Sequence, residues 1–551
     1  MKLDTRLVSS LDKVFLDEAP EEAKDLYLEG FENEVQSFQI AYCNTEGDVR
    51  AYIQAAVESP IADHVTLRRV GHVPVRFTTF PDSDDNYLRN KPGLYPDVLK
   101  PIIPHSLRAW LNQWDTLWID IEKGLEPGVY PVDIVFYAEE GREGVRGEEL
   151  CRRSVNVTVL KGKLPDQKLI QTRWFYGDCL ANFYHIPVFS EDWWRICENF
   201  IKRAVDRGIN MILMPIHTPP LDTRVGSERT TVQLVNVNLN AGKYTFAFDK
   251  LSRWVEMCKR CGVEYYEVAH MFTQWGANFT PNIYASVDGT YKRIFGWDKS
   301  STGDEYKEFL DAYLPALKKA FTDMGIADKC FFHVSDEPSV DHLESYLSCK
   351  ALLEKHLAGF KFIDALSDIT FYNSGAVKKP VPATNHIKPF LDANIDGLWA
   401  YYCIGQYKDV SNSFAYMPSA RTRILGAQLF KYDIEGFLQW GYNFYNSQFS
   451  DYPIDPYYSG DCEGFGPTGD AFQVYPGYDG MPEDSLRLMV VFHGMQDLRA
   501  MQLLASLTDK KTVVDMIDAE GEVEFDKYPK SKEYIFELRR KINKAIVEAS
   551  K

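Results

Sequence analysis

At about residue 168 the sequence changes its rhythm, and the two sides of that change require different architectures. Up to residue 163, Phe38 to Tyr42, Val65 to Val70, Thr116 to Ile121 and Val132 to Tyr137 are short β-rich runs separated by Gly, Pro, Asn and Asp. Trp118-Ile119-Asp120-Ile121-Glu122 followed by Pro127-Gly128-Val129-Tyr130 reads as strand, turn, strand, and helical periodicity is nearly absent. A β-sandwich domain over residues 1–163 is expected, with a linker at Gly162 to Gln167.

From Lys168 onward strand and helix patterns alternate. Leu169 to Tyr176 reads as a strand, and Ser190 as the N-cap of a helix that buries Trp193, Ile196, Cys197, Phe200, Ile201 and Ala204. Further strands are predicted at Asn210 to Pro215, Val263 to His270, Cys330 to Asp336, Lys361 to Leu366, Val381 to Thr384, Leu398 to Cys403 and Gly436 to Tyr442. Between them, stripes such as Tyr306, Phe309, Leu310, Tyr313, Leu314 and Leu317 mark amphipathic helices, and a last one runs from about Pro482 to Leu507. Eight strand–helix units predict an α/β fold, a (β/α)8 barrel over residues 168–507, followed by a C-terminal helical extension at 508–551.

Composition removes several function classes. Lys plus Arg is 61 against 79 for Asp plus Glu, a formal net charge of −18, which repels phosphate backbones and anionic membranes. No nucleic-acid or membrane partner is expected. The N-terminus has no apolar targeting core and no window of 18 apolar residues occurs, so a cytoplasmic chain is expected. Ten cysteines are too sparse for a disulfide scaffold, and the lone Cys258-x-x-Cys261 reads as helix-face packing. No GxGxxG or GxxxxGK[ST] precedes a helix, and no glycine-flanked elbow surrounds Ser335, so neither a nucleotide cofactor nor serine hydrolysis is supported.

Barrel enzymes carry their chemistry at the C-terminal ends of the strands. The fourth strand ends in His333-Val334-Ser335-Asp336-Glu337-Pro338. Adjacent strand residues face opposite sides, but at a strand terminus the pleat ends, and both acids can turn to one cleft. Partial burial raises the pKa of a carboxyl group, as a general acid requires. An acidic N-cap for the next helix is the competing reading of the same two residues. The longest connections, Ile216 to Ala247, Met271 to Asp304 and Asn443 to Met481, are rich in aromatic residues, Gly and Pro and read as ordered pocket walls.

The segments FFHVSDEP, GFLQWGYNFY, GDAFQVYPGYDG and SLRLMVVFHGMQDLRAM together resemble glycoside hydrolase family 123 and its uncharacterised relatives. The resemblance implies a β-sandwich before a (β/α)8 barrel, and retaining N-acetyl-β-galactosaminidase activity on a glycan or glycoconjugate. It also implies that Asp336 orients the 2-acetamido group of the substrate and that Glu337 is the acid/base, through an oxazolinium intermediate without an enzyme nucleophile. The segments HTPPLDTRVGSERTTVQLVNVN and HMFTQWGANF, with Trp275, are closer to the uncharacterised relatives and read as pocket walls.

Around that pair, Trp440 and Tyr442 lie two apart on the eighth strand, and Trp399 and Tyr401 repeat the pattern on the seventh. An aromatic wall for a pyranose competes here with plain core packing. Asn385 and His386, Tyr372 and Asn373, and Arg173 beside Trp174 are candidate hydrogen-bonding residues. His217, His270 and His333 fall at strand ends like His386, yet no HxH, HxxH or HExxH spacing occurs. They read as sugar contacts or satisfied core histidines, and neither metal nor cofactor is expected. Two other functions stay open: a conventional two-carboxylate glycosidase, in which Asp364, Asp368, Glu267 or Glu435 faces Glu337, and a non-catalytic sugar-binding protein. A homo-oligomer is left open.

Overall fold

The structure is a computed structural model that describes residues 1–141 and 145–551. Residues 2–160 form two five-stranded sheets. One runs in the order Lys2–Ser9, Gln36–Glu46, Trp114–Ile121, Val65–Val75, Gly93–Pro101. The other runs Glu29–Phe31, Val145–Leu160, Gly128–Glu140, Arg50–Glu58, Arg108–Trp110. Phe38, Ile40, Leu117, Ile119, Ile134 and Phe136 alternate inward and share one buried core between the layers.

The second part is built on a curled parallel sheet of seven strands. Its order is Lys361–Phe362, Cys330–Phe332, Tyr265–Val268, Met211–Met214, Ile170–Arg173, Gly436–Gln439, Trp399–Tyr401. Counted along the chain this is 5-4-3-2-1-8-7, the cyclic order of a barrel. The regular eight-stranded barrel is nevertheless not realised. Its sixth member is the two-residue Pro380–Val381, which pairs with Asp364–Ala365 in a separate ladder, and a single bridge joins Ala383 to Tyr401. Pro380 and Pro382 lack the N–H that would extend that ladder. The helices after the fifth and sixth strands shrink accordingly to Thr370–Asn373 and Lys388–Asp392.

The long connections carry secondary structure of their own. Asn236–Asn240 with Lys243–Ala247, and Ile283–Val287 with Thr290–Phe295, are hairpins that join into a four-stranded sheet over the second and third strands. Their turns use Ala241-Gly242 and Asp288-Gly289, all four with positive φ, the conformation that matches strand twist in a two-residue loop. Pro482–Asp484 is a short strand rather than helix, and the long helix begins at Leu486 with Ser485 as its cap. Beyond it the C-terminal extension holds the helices Lys510–Ile517 and Lys532–Ala549. No helix among the described residues is long and apolar enough to cross a membrane. Cys258 and Cys261 are buried on the inner face of the helix Asp249–Cys261, and all ten cysteines are free.

Buried ion pairs join the sandwich to the rest. Asp484 accepts hydrogen bonds from Arg68 of the sandwich (2.7 Å) and from Arg203 (3.0 Å) and Arg207 (2.9 Å). Arg68 also reaches Asp120. Arg487 holds Asp97 through two contacts of 2.9 Å, and Arg539 of the last helix grips Glu34 at 2.6 and 2.7 Å. Burial alone would raise the carboxyl pKa of Asp484, but Arg207, Arg203 and Arg68 outweigh it and hold that carboxyl far below its ordinary range. Because the folded value is depressed, the associated stability is present above the unfolded-state pKa and is lost as pH falls towards the folded one. Asp484→Ala strands buried guanidinium groups without their common carboxylate, a change expected to cost about 3–5 kcal/mol. Calorimetry should show a lowered melting temperature at neutral pH and a much smaller difference in strong acid; an unchanged neutral value would mean that this carboxylate does not hold the joint.

Candidate active site

The fourth strand leaves its ladder after Phe332, whose carbonyl accepts Ile363 N–H at 3.0 Å. The next free donor, Val334 N–H, is taken by the side chain of Asp364 at 3.1 Å, so a carboxylate replaces the missing neighbour strand. Released from the pleat, the chain bends. Ser335 donates its hydroxyl to the Thr273 carbonyl (2.9 Å), and the Asp336 carbonyl accepts Trp275 N–H (3.0 Å). Glu337 and Trp275 both take left-handed backbone, φ 42° and 57°. Such strain persists only where surrounding contacts over-determine it.

The result is a cleft at the C-terminal end of the sheet, into which both Asp336 and Glu337 open. Trp174, Trp275, Trp440 and Tyr401 supply most of its aromatic surface. The Tyr401 hydroxyl donates to Glu337 Oε1 at 2.8 Å. Trp440 donates its indole N–H to Asp470 Oδ2 at 2.8 Å, and Trp174 donates to Glu267 Oε1 at 2.7 Å, which fixes both rings. Asp336 is partly exposed to the cleft but closely surrounded by protein. Desolvation by that surrounding protein, and then the charge of Glu337, push its carboxyl well above the ordinary range. Burial likewise pushes Asp470 up to about 7, against the hydrogen bond from Trp440.

Directly beneath sits a buried charged layer. His333 Nε2 is 2.6 Å from Glu267 Oε1, and its Nδ1 is 3.4 Å from Asp364 Oδ1. Burial disfavours the imidazolium, but the carboxylates of Asp364 and Glu267 outweigh that and hold His333 up at about 10. His270 stacks on it at 4.0 Å and is driven the other way, well below the ordinary histidine value, by burial and then by the His333 charge. His270, His333 and Asp364 bring possible ligand atoms within 4.8 Å of one another. The two ring nitrogens of His333 both face carboxylates, so these donors are already matched to a proton held between two acids, which a metal would have to displace.

The model of the glycoside hydrolase 123 catalytic domain matches residues 174–504. The chain belongs to glycoside hydrolase family 123. Among solved structures, a family 123 glycoside hydrolase from Clostridium perfringens superposes with a TM-score of 0.71 at 14% identity, covering 100% of this chain and 98% of that one. A β-galactosidase from the psychrophilic Marinomonas ef1 matches at a TM-score of 0.35 and 8% identity, over 61% of this chain and 60% of that one. No curated protein matches the sequence.

In this family 123 glycosidase, Asp336, Glu337, Trp275, Tyr401 and Trp440 line one cleft. The expected four-aromatic wall is only half there. Trp399 is fully buried two residues below Tyr401, packed on Phe331 at 5.5 Å and filling the space where Gly436 has no side chain. Tyr442 lies past the strand end at Gln439, where strict alternation no longer holds; it stacks on Phe175 and donates to the Phe200 carbonyl at 2.9 Å. His217, His270 and His333 are buried under the cleft rather than lining it, His217 bonding the His270 carbonyl at 2.8 Å. Arg173 is buried against Gln439 (3.1 Å). Tyr372 and Asn373 sit on the short helix after the fifth strand, and Asn385 and His386 are exposed on a short 3₁₀ turn, Asn385 bonding Gln406 at 2.9 Å; none of the four lines the cleft.

Of the acids considered as partners for Glu337, Glu267 and Asp364 are engaged with His333, Glu435 pairs with Lys379, and Asp368 accepts Thr370 N–H (2.8 Å). None reaches the cleft. Asp222, Gln274 and Phe465 do; the sequence placed them in expected pocket walls without singling them out. All three lie in the long connections, where no periodicity reports the direction of a side chain. Tyr401→Phe deletes one hydrogen bond to a carboxylate at constant shape. It should lower kcat/KM roughly 10- to 100-fold with little change in melting temperature, the range for hydrogen bonds to charged groups. Unchanged kinetics would detach Tyr401 from Glu337 function.

Proposed function

We propose that this glycosidase removes a β-linked N-acetylhexosamine, N-acetylgalactosamine in preference to N-acetylglucosamine, by retaining, substrate-assisted catalysis. Glycolipid glycans are the proposed substrate class, because the Clostridium perfringens enzyme of similar fold is described as hydrolysing them. The observation that carries the mechanism is the placement of two consecutive acids, Asp336 and Glu337, on one cleft.

In this reading Glu337 protonates the departing oxygen while the 2-acetamido oxygen attacks the anomeric carbon, closing an oxazolinium ring with release of the aglycone. Asp336, as carboxylate, accepts the acetamido N–H, which becomes more acidic as positive charge develops on the ring. Water then opens the ring, with Glu337 taking its proton. Burial, and then the Glu337 charge, favour a proton on Asp336. Binding the acetamido N–H requires the ionised form of Asp336 and moves that proton to Glu337, where the leaving group needs it. Trp174 and Trp440 give the sugar ring flat apolar faces that exclude water.

Asp336→Asn keeps the shape and removes the charge that is needed only in the transition state. It should lower kcat on the order of 10² to 10⁴, in line with other positioned acid/base groups. A thiazoline mimic of the cyclised intermediate should inhibit wild type strongly and the variant weakly, and azide should not restore activity. An intact kcat in the variant, or a trapped covalent glycosyl-enzyme, would replace this mechanism with the conventional two-carboxylate one.

A further inference from the structure

The connections after the second, third and eighth strands meet at Asp222, a residue that the mechanism above leaves without a role. Asp222 lines the cleft. Its backbone is left-handed, φ 39°, which is uncommon for a residue with a side chain. Three hydrogen bonds hold it there. Its N–H donates to Gln274 Oε1 at 2.6 Å, its carbonyl accepts the Ser450 hydroxyl at 2.7 Å, and its Oδ2 accepts Phe449 N–H at 3.0 Å. Two residues on, Arg224 grips Asp451 at 2.7 and 2.5 Å, while Arg224 N–H donates to the Phe449 carbonyl at 2.9 Å. Phe449 and Ser450 are left-handed as well, and Phe449 meets Trp275 edge-on at 6.1 Å.

All this fixes one atom. Asp222 Oδ1 has no hydrogen-bond partner among the described residues, and the side chain stays partly open to the cleft. Burial pushes the carboxyl up to about 6, with Arg229 drawing it back, so it is ionised at neutral pH. Strained, over-determined backbone that presents an unused charged acceptor inside a cleft marks a ligand contact. Sugar hydroxyls are the matching donors, and a hydrogen bond to a carboxylate is stronger than one to a neutral group.

We propose that Asp222 is a substrate-binding residue whose free carboxylate oxygen accepts one hydroxyl of the sugar in this cleft, and so sets which hydroxyl pattern is accepted. The N-acetylhexosamine identity of that sugar rests on the function proposed above; the role of Asp222 as a hydroxyl acceptor does not. A sugar lacking that hydroxyl leaves the carboxylate desolvated and unpaired, and this penalty is the source of selectivity.

The test pairs residue and hydroxyl. Wild type, Asp222→Asn and Asp222→Ala are assayed on an aryl 2-acetamido glycoside and on its 3-, 4- and 6-deoxy analogues. Wild type should lose roughly 10- to 100-fold in kcat/KM on one analogue, as expected for a hydrogen bond to a charged group. Asp222→Ala should be weakened by a similar factor on the parent sugar and lose no more than about twofold further on that analogue, because the two deletions remove one interaction. Asp222→Asn still offers an oxygen to Phe449 N–H. It should keep the wild-type melting temperature and show the same loss of discrimination, which covers the case in which the alanine variant disturbs the loops. Equal losses on every analogue, or wild-type discrimination in both variants, would overturn the proposal, as would a covalent adduct trapped on Asp222. If no 2-acetamido glycoside is cleaved, the functional reading falls alone, and the same series on the glycoside that is cleaved decides the role of Asp222.

Discussion

His333, fully buried between Glu267 and Asp364, is the contact on which the cleft end of this protein is built. Two carboxylates and one imidazolium are buried together here, so the remaining carboxylate oxygens need donors of their own. Glu267 also accepts Thr172 (2.5 Å) and Trp174 (2.7 Å), and Asp364 also accepts Tyr346 (2.5 Å) and Val334 N–H. The same bonds that satisfy the charges thus fix Trp174 as a cleft wall and end the fourth strand early. That early end is what lets Asp336 and Glu337 turn to the same side.

Above this layer the cleft is shaped by backbone that no strand or helix would adopt. Asp222, Trp275, Glu337 and Phe449 all have positive φ and come from four different connections. Each is held by hydrogen bonds from its neighbours, so the strain is distributed over the rim and sustained by the rigid sheet below. The sandwich contributes at a distance. Through Arg68 on Asp484 and Asp97 on Arg487 it grips the short strand and the long helix that follow the eighth-strand connection, the same connection that carries Phe449, Phe465 and Asp470.

Much of this was legible along the chain. The alternating runs before residue 163 and the helical stripes after residue 168 reflect periods of 2 and 3.6, which survive in a sequence because one face of each element must be apolar. The alternation of strands and helices called for a parallel sheet, and a curled parallel sheet of seven strands forms. Two hairpins in the long connections escaped notice, although Asp288-Gly289 between Ile283–Val287 and Thr290–Phe295 is a recognisable turn signal. The reduction of the fifth and sixth units was also foreshadowed by Pro380 and Pro382, whose missing donors weigh more than the apolar pattern around them.

The sequence by itself put two consecutive acids just beyond the fourth strand; that this strand stops at Phe332 rather than at the expected Asp336 was decided by Asp364, which takes the Val334 N–H. It also determined that Trp440 and Tyr401 stand at strand ends. Only the tertiary structure decided which neighbours share their cleft. Trp399 and Tyr401 have the same spacing logic, yet one fills the sheet interior and the other bonds Glu337. The four histidines at strand ends look equivalent as letters; three are buried, and His333 alone is held charged by carboxylates far away in sequence. Asp222, in a segment without periodicity, is brought to the cleft by Gln274, Phe449 and Ser450. Periodicity records which way a side chain points within an element, whereas a site is a set of distances between elements, and those are fixed only when the whole core closes.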